Sequence, residues 1–154
     1  MGIFRGQGAT EYLVLLAVVL IVALVSVALL GFFPGMASDA RITQSQSYWR
    51  GQAKPFAILD AGIVSGGLGT FSIQNMEANA NTMTILAVGA GNNTSNIVFG
   101  AGETKTVLIA VAPFTGSGGA GNIYDLGVNI TYTTANGISS KQFGAKTLIG
   151  KYIS

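Results

Sequence analysis

The chain has 154 residues, enough for one modest domain plus an appendage, and only 9% of them are charged, with eight Lys and Arg against six Asp and Glu. It contains no Cys and no His, which excludes disulfides, thiol nucleophiles, Ser-His-Asp triads and the usual zinc ligand sets. A net charge of +2 with no cluster of Lys or Arg argues equally against a nucleic-acid partner, and neither a cofactor nor a metal is expected.

In chain order, the first feature is an apolar run. From Tyr12 to Phe33 only Ser26 and Gly31 interrupt it. At 1.5 Å per residue such a run spans about 33 Å as a helix, enough for a bilayer core. Its apolar residues leave no polar face, so every face must be buried in something. A secretory signal peptide fits less well, because Phe32, Phe33 and Pro34 stand where small residues would mark a cleavage site. Arg5 before the span and Arg41 and Arg50 after it leave its orientation open.

After Pro34-Gly35 the character changes to polar, and a second helical segment is expected from about Met36 to Gln52, with Ser38 and Asp39 able to cap a new start. Pro34 removes one backbone hydrogen bond and Gly31 and Gly35 add freedom beside it, so a kink is expected over residues 31–35. A single kinked rod over residues 7–52 would be about 69 Å long.

Residues 53–154 read as strands separated by Gly- and Asn-rich turns: 56–64, 69–75, 82–88, 96–99, 104–112, 124–134 and 139–152. Leu126, Val128, Ile130 and Tyr132 alternate with polar or small residues, and Asn136-Gly137 sits between two strands as a strong hairpin signal. The expected fold class is therefore α+β: a long N-terminal hydrophobic helix followed by an antiparallel β-sandwich (Ig-like) head. The stretches 89–96 and 115–122 are expected to be loops.

Candidate sites in the head are few. Gly116, Gly118 and Gly121 match G-x-G-x-x-G in spacing, but a strand follows where a dinucleotide site needs a helix. "GETKT", residues 102–106, lacks the residue order of a phosphate loop. Tyr48 and Trp49 fit a helix packed onto its sheet better than a ligand platform. No spacing among the six acids singles out a catalytic pair, so the chain is not expected to be an enzyme. Asn92, Asn93 and Asn129 each begin an Asn-x-Ser/Thr signal for N-glycosylation.

At the N-terminus, "GQGATEYLVL" (residues 6–15) resembles the class III signal of archaeal type IV pilins, Q-x-S-x-E-x-x-x-L, through Gln7, Glu11 and Leu15. Ala9 stands where the family usually has Ser. The layout is also similar: short leader, apolar helix, polar helical continuation, β-rich head. The resemblance implies that residues 1–6 are a leader cut between Gly6 and Gln7 by a membrane-embedded prepilin peptidase. The subunit would then wait in the cytoplasmic membrane with its head outside, until an ATPase-driven assembly platform transfers it into a helical homopolymer at the cell surface. The filament core would be a bundle of N-terminal helices, in which Glu11 neutralises the new amine of Gln7, and the filament would serve adhesion.

Two other readings share parts of this pattern. A monomeric membrane-anchored protein with a β-sandwich binding head explains the apolar run without any cleavage at Gly6. A minor pilin of a secretion or adhesion machine, or an archaellin, explains the N-terminus but differs in abundance or assembly. For Glu11 the alternative role is to complement the positive end of its own helix.

Overall fold

A computed structural model describes residues 7–65, 67–109 and 119–153. Residues 1–6, the expected leader with Gly6, and the glycines Gly116 and Gly118 lie outside the described residues, as do residues 110–112 of the expected fifth strand. The chain divides into two compact units, Met1–Ala40 and Arg41–Ser154. The coarse class is α+β, one long apolar helix followed by antiparallel sheets.

Helix α1 runs from Gln7 to Gly51 without a break in its helical assignment. The expected new start at Ser38 and Asp39 therefore does not occur, and both residues lie in the helix interior. Residues 31–35 are helical rather than unwound. An interior proline removes one hydrogen bond, and the turns on either side keep theirs.

Within the second unit, residues 41–51 of the helix join the strands. Trp49 is 1% exposed and belongs to one hydrophobic core with Phe56, Phe71, Phe99 and Ile130. Tyr48 packs against that core and meets Trp49 edge-on, ring centroids 5.2 Å apart. One turn earlier, Ser45 is also buried. Its hydroxyl donates to the Thr147 carbonyl (2.8 Å) and accepts from the Ile149 N–H (2.9 Å). A polar group thus fixes the helix to a strand where an apolar one would leave a buried amide unpaired.

Ten strands follow among the described residues: β1 (Phe56–Ile63), β2 (Gly69–Asn75), β3 (Asn81–Val88), β4 (Gly91–Asn93), β5 (Ile97–Phe99), β6 (Thr104–Ile109), β7 (Ile123–Leu126), β8 (Val128–Thr133), β9 (Ser139–Phe143) and β10 (Leu148–Lys151). They form a three-stranded sheet β1-β2-β6, a two-stranded sheet β10-β7, and a five-stranded sheet β4-β3-β8-β9 in which β5 also pairs with β3. All these pairings are antiparallel. The alternation expected at the C-terminal end of the sheet is present: Val128, Ile130 and Tyr132 are buried, while Asn129 is exposed.

Three details differ from the expectation. The segment 124–134 is two strands divided at Gly127, since β7 belongs to the small sheet and β8 to the five-stranded one. The segment 139–152 divides in the same way into β9 and β10. Within the expected loop 89–96 lies β4, which turns back onto β3 with Val88 opposite Gly91. Gly89, the first of the two turn residues between them, has φ +58° and is the residue type that takes it without strain.

The hairpin at Asn136-Gly137 forms, but not as a two-residue loop. The Gly137 N–H donates to the Thr134 carbonyl, and only Gly137 (φ +80°) is left-handed. That is a type I turn closed by a left-handed glycine, the pattern of a three-residue loop.

Candidate functional site

In the first unit the candidate site is the surface of α1. Every large hydrophobic residue from Tyr12 to Phe33 is exposed; the least exposed is Leu16 at 43%. The helix is long and apolar enough to cross a membrane. The one serine in the apolar run is internally satisfied, since Ser26 Oγ donates to the Val22 carbonyl one turn back at 2.8 Å. That bond removes a free donor from an otherwise apolar surface.

Glu11 and Leu15 stand one turn apart and border the same shallow depression together with Thr10 and Val14. One carboxylate is thus presented beside apolar neighbours on a single helix face. The first helical turn from Gln7 holds no acid. Glu11 lies one turn further in. Of Gln7 only the backbone is described, and it is helical. Gly31 and Gly35 are helical too, and a Cβ added to either would meet nothing within 4 Å.

In the second unit the three candidate asparagines occupy different settings. Asn93, at the end of β4, is only half-exposed, and both its side-chain polar atoms are hydrogen-bonded. Its Nδ2 donates to the Leu108 carbonyl of β6, and its Oδ1 accepts from the Ser95 N–H at 2.7 Å. This side chain joins an edge of the five-stranded sheet to the three-stranded one. Asn92, its neighbour on β4, is exposed. Asn129, the second residue of β8, is exposed. Asn92 and Asn129 are both register partners of Ala87, one on each side.

The surface cavities are modest. One of about 30 Å³ lies beside Trp49, Asp60 and Tyr124, too small for an organic ligand. A cleft of about 350 Å³ lies between Arg41, Gln44 and Ser45 on the helix and Lys146 and Thr147 on the loop before β10. Arg41 at its rim is engaged by Asp125, 2.6 Å away. Among the described residues Tyr124 is the most perturbed titratable group. Burial, with the nearby charge of Asp60 and the Tyr152 hydroxyl, pushes its phenol up to about 12.

The sequence did not single out Gln142 and Phe143. The two alternate on β9 in the reverse of the usual sense: Gln142 is 6% exposed and Phe143 67%. The signal was a period-two pattern with its polar member on the core side, which reads from sequence as the wrong face.

Compared with protein-family models the chain matches none, and it matches none of the curated proteins.

Proposed function

We propose that this protein is the structural subunit of an archaeal type IV pilus, a surface adhesion filament built by packing its N-terminal helices into a core. The observation that carries the reading is the apolar surface of α1. From Tyr12 to Phe33 no described residue covers it, and Gln7, Glu11 and Leu15 stand at its N-terminal end. In water each large side chain left exposed forgoes about 1.5–3 kcal/mol of burial, so this surface requires a bilayer or other copies of itself. Exchanging lipid for neighbouring helices has little hydrophobic driving force. Close packing and a few polar contacts must bias it, and Glu11 is the one charge available in the described part of the helix before the polar segment.

In this reading the prepilin peptidase cuts before Gln7, and the anchor stays on the mature chain. The head folds outside the cytoplasmic membrane until the assembly platform and its ATPase draw the subunit into the filament. We read the head as an Ig-like β-sandwich. Support comes from one hydrophobic core shared by side chains of the three-stranded sheet (Phe71, Ile73) and of the five-stranded sheet (Leu86, Ile130).

N-terminal sequencing of subunits from sheared cell-surface material tests the reading. A terminus at Gln7 is expected. An intact Met1 or Gly2 terminus in surface filaments would overturn it in favour of a simple membrane anchor.

A further inference from the structure

The three Asn-x-Ser/Thr signals, of the Thr form at Asn92 and Asn129 and the Ser form at Asn93, stand in different structural settings. N-glycosylation joins the amide nitrogen of Asn to the anomeric carbon of a sugar. The bond from that carbon to the phosphate of a lipid-linked donor breaks, its electron pair leaves with the phosphate, and one Nδ2 proton is released. Asn93 has its Nδ2 and Oδ1 both committed, the first to the β6 backbone and the second to its own turn. A sugar on it would stand at the junction of two sheets.

Asn129 is placed differently. The register puts Asn92, Ala87, Asn129 and Phe143 in one row across β4, β3, β8 and β9. Asn92, Asn129 and Phe143 are exposed and Ala87 partly so, and they share the outward face. Directly opposite Asn129 is Phe143, 67% exposed. The Gly144 N–H donates to the Val128 carbonyl. The adjoining Asn129–Phe143 pair is therefore of the non-hydrogen-bonded kind, in which facing side chains stand closest. On its other side Asn129 faces only the methyl group of Ala87. The site thus has an open approach on one side and an aromatic wall on the other.

We propose that Asn129 carries an N-linked glycan and that the Phe143 ring is the seat of its first sugar, whose C–H face covers the ring. This accounts for an aromatic side chain turned to solvent on a strand whose inward position is given to a glutamine. An exposed Phe beside no ligand forgoes its burial. Beside a tethered pyranose it gains a partner at high effective concentration, because the sugar is already held within one residue's reach. The proposal rests on the filament reading to the extent that the head must lie outside the membrane to meet the donor.

Peptide mapping by mass spectrometry of native subunits reads both claims in one digest. The expected result is a hexose- or N-acetylhexosamine-bearing peptide at Asn129, bare Asn93, and an N-terminal peptide beginning at Gln7. A Gln7 terminus with bare Asn129, whether or not Asn92 is modified, overturns the inference and leaves the filament reading standing. A glycan at Asn129 on a chain still beginning at Met1 does the reverse, and a glycan on Asn93 overturns the sorting of the sites. The seat is tested by a thermal cycle. Asn129→Gln should lower the midpoint by roughly 3–6 °C in native-host protein with Phe143, and by about 1 °C or less when Phe143→Ala is already present. Equal losses in both backgrounds overturn the role of Phe143.

Discussion

Gln142 clasps the backbone of Phe56: its Oε1 accepts from the Phe56 N–H at 2.9 Å, and its Nε2 donates to the Phe56 carbonyl at 2.8 Å. A side-chain amide has the donor–acceptor pair of a peptide group, so Gln142 acts as one residue of a neighbouring strand. It closes β1 against β9, which belong to different sheets. Phe56 is fully buried, and no solvent can replace these bonds.

Gln142→Leu should accordingly cost about 2–4 kcal/mol, because two buried backbone groups lose their partners together. Gln142→Glu should be worse near neutral pH, where a carboxylate would face the Phe56 carbonyl, and should recover as acid restores a donor. Denaturant unfolding of the head at several pH values checks both. A loss below 1 kcal/mol for Gln142→Leu would mean the backbone of Phe56 finds other partners.

The sole tryptophan gives the second prediction its readout. A Cβ placed on Gly144 would lie 2.5 Å from Trp49 Cζ2 and 3.0 Å from the Lys146 carbonyl oxygen. Gly144→Ala must therefore displace the indole that fixes the helix to the strands, at a cost of about 1–3 kcal/mol. Tryptophan fluorescence should shift to the red and the unfolding midpoint should fall. An unchanged emission spectrum would show that the loop, not the indole, gives way.

Tyr124 sets an alkaline limit. Its phenol rises from 10.0 to about 12 in the folded head, chiefly through burial. A raised pKa favours the neutral form in the native state. The contribution to stability is full below pH 10 and is lost between pH 10 and about 12, as the unfolded state sheds its proton first. Stability measured across that window should decline more for the wild type than for Tyr124→Phe, which keeps the ring and cannot ionise. Parallel declines would show that other groups govern the alkaline limit.

Much of this architecture was legible in the sequence, for identifiable reasons. The apolar run declared the helix because twenty or so residues without a polar face admit few other structures. Strand β2 fell on its expected residues, Gly69–Asn75, because its alternation and its flanking glycines agree. The division at Gly127 was not legible, since Leu126, Val128 and Ile130 continue one alternation across it, and only the sheet partners differ. β4 was hidden because glycine and asparagine, which form it, are the residues that usually mark loops. The unequal settings of Asn92, Asn93 and Asn129 depend on what lies across the sheet, and local sequence carries no record of that.

Glu11 yields a prediction about assembly. In the described helix it is the one carboxylate at the edge of the apolar run, placed to complement the positive end of its own helix or to pair with an amine in the assembled filament. Pairing with the Gln7 amine that cleavage would create leaves it a role only in the mature chain. Glu11→Ala should be cut and inserted normally but assemble poorly, since an unpaired amine in an apolar bundle costs about 3–5 kcal/mol. Filament yield and the mature N-terminus, measured together, separate an assembly defect from a processing one. Normal yield would remove the pairing role.

The glycines at the middle of the helix give the last prediction. Gly31 and Gly35 bracket Pro34, the whole segment is helical in the isolated chain, and neither glycine is held there by a neighbour. Replacing either with Ala should therefore favour the helical form, by about 0.5–1 kcal/mol each. Their presence needs a reason outside this conformation, and two are physically distinct. If residues 31–35 bend or unwind in the filament so that neighbouring heads can tile a cylinder, flexibility is what matters. Pro34→Ala and Gly35→Ala should then both reduce assembly, and most strongly together. If the glycines instead let a second helix approach closely, as small residues four apart do in membranes, Pro34→Ala should be tolerated. Gly31→Leu and Gly35→Leu should then be far worse than the Ala variants. A filament map that resolves backbone carbonyls decides the matter directly. Loss of hydrogen bonds between Leu30 and Ser38 beyond the one that Pro34 cannot make supports the hinge, and an otherwise complete straight helix there with a neighbour packed on Gly31 and Gly35 rejects it.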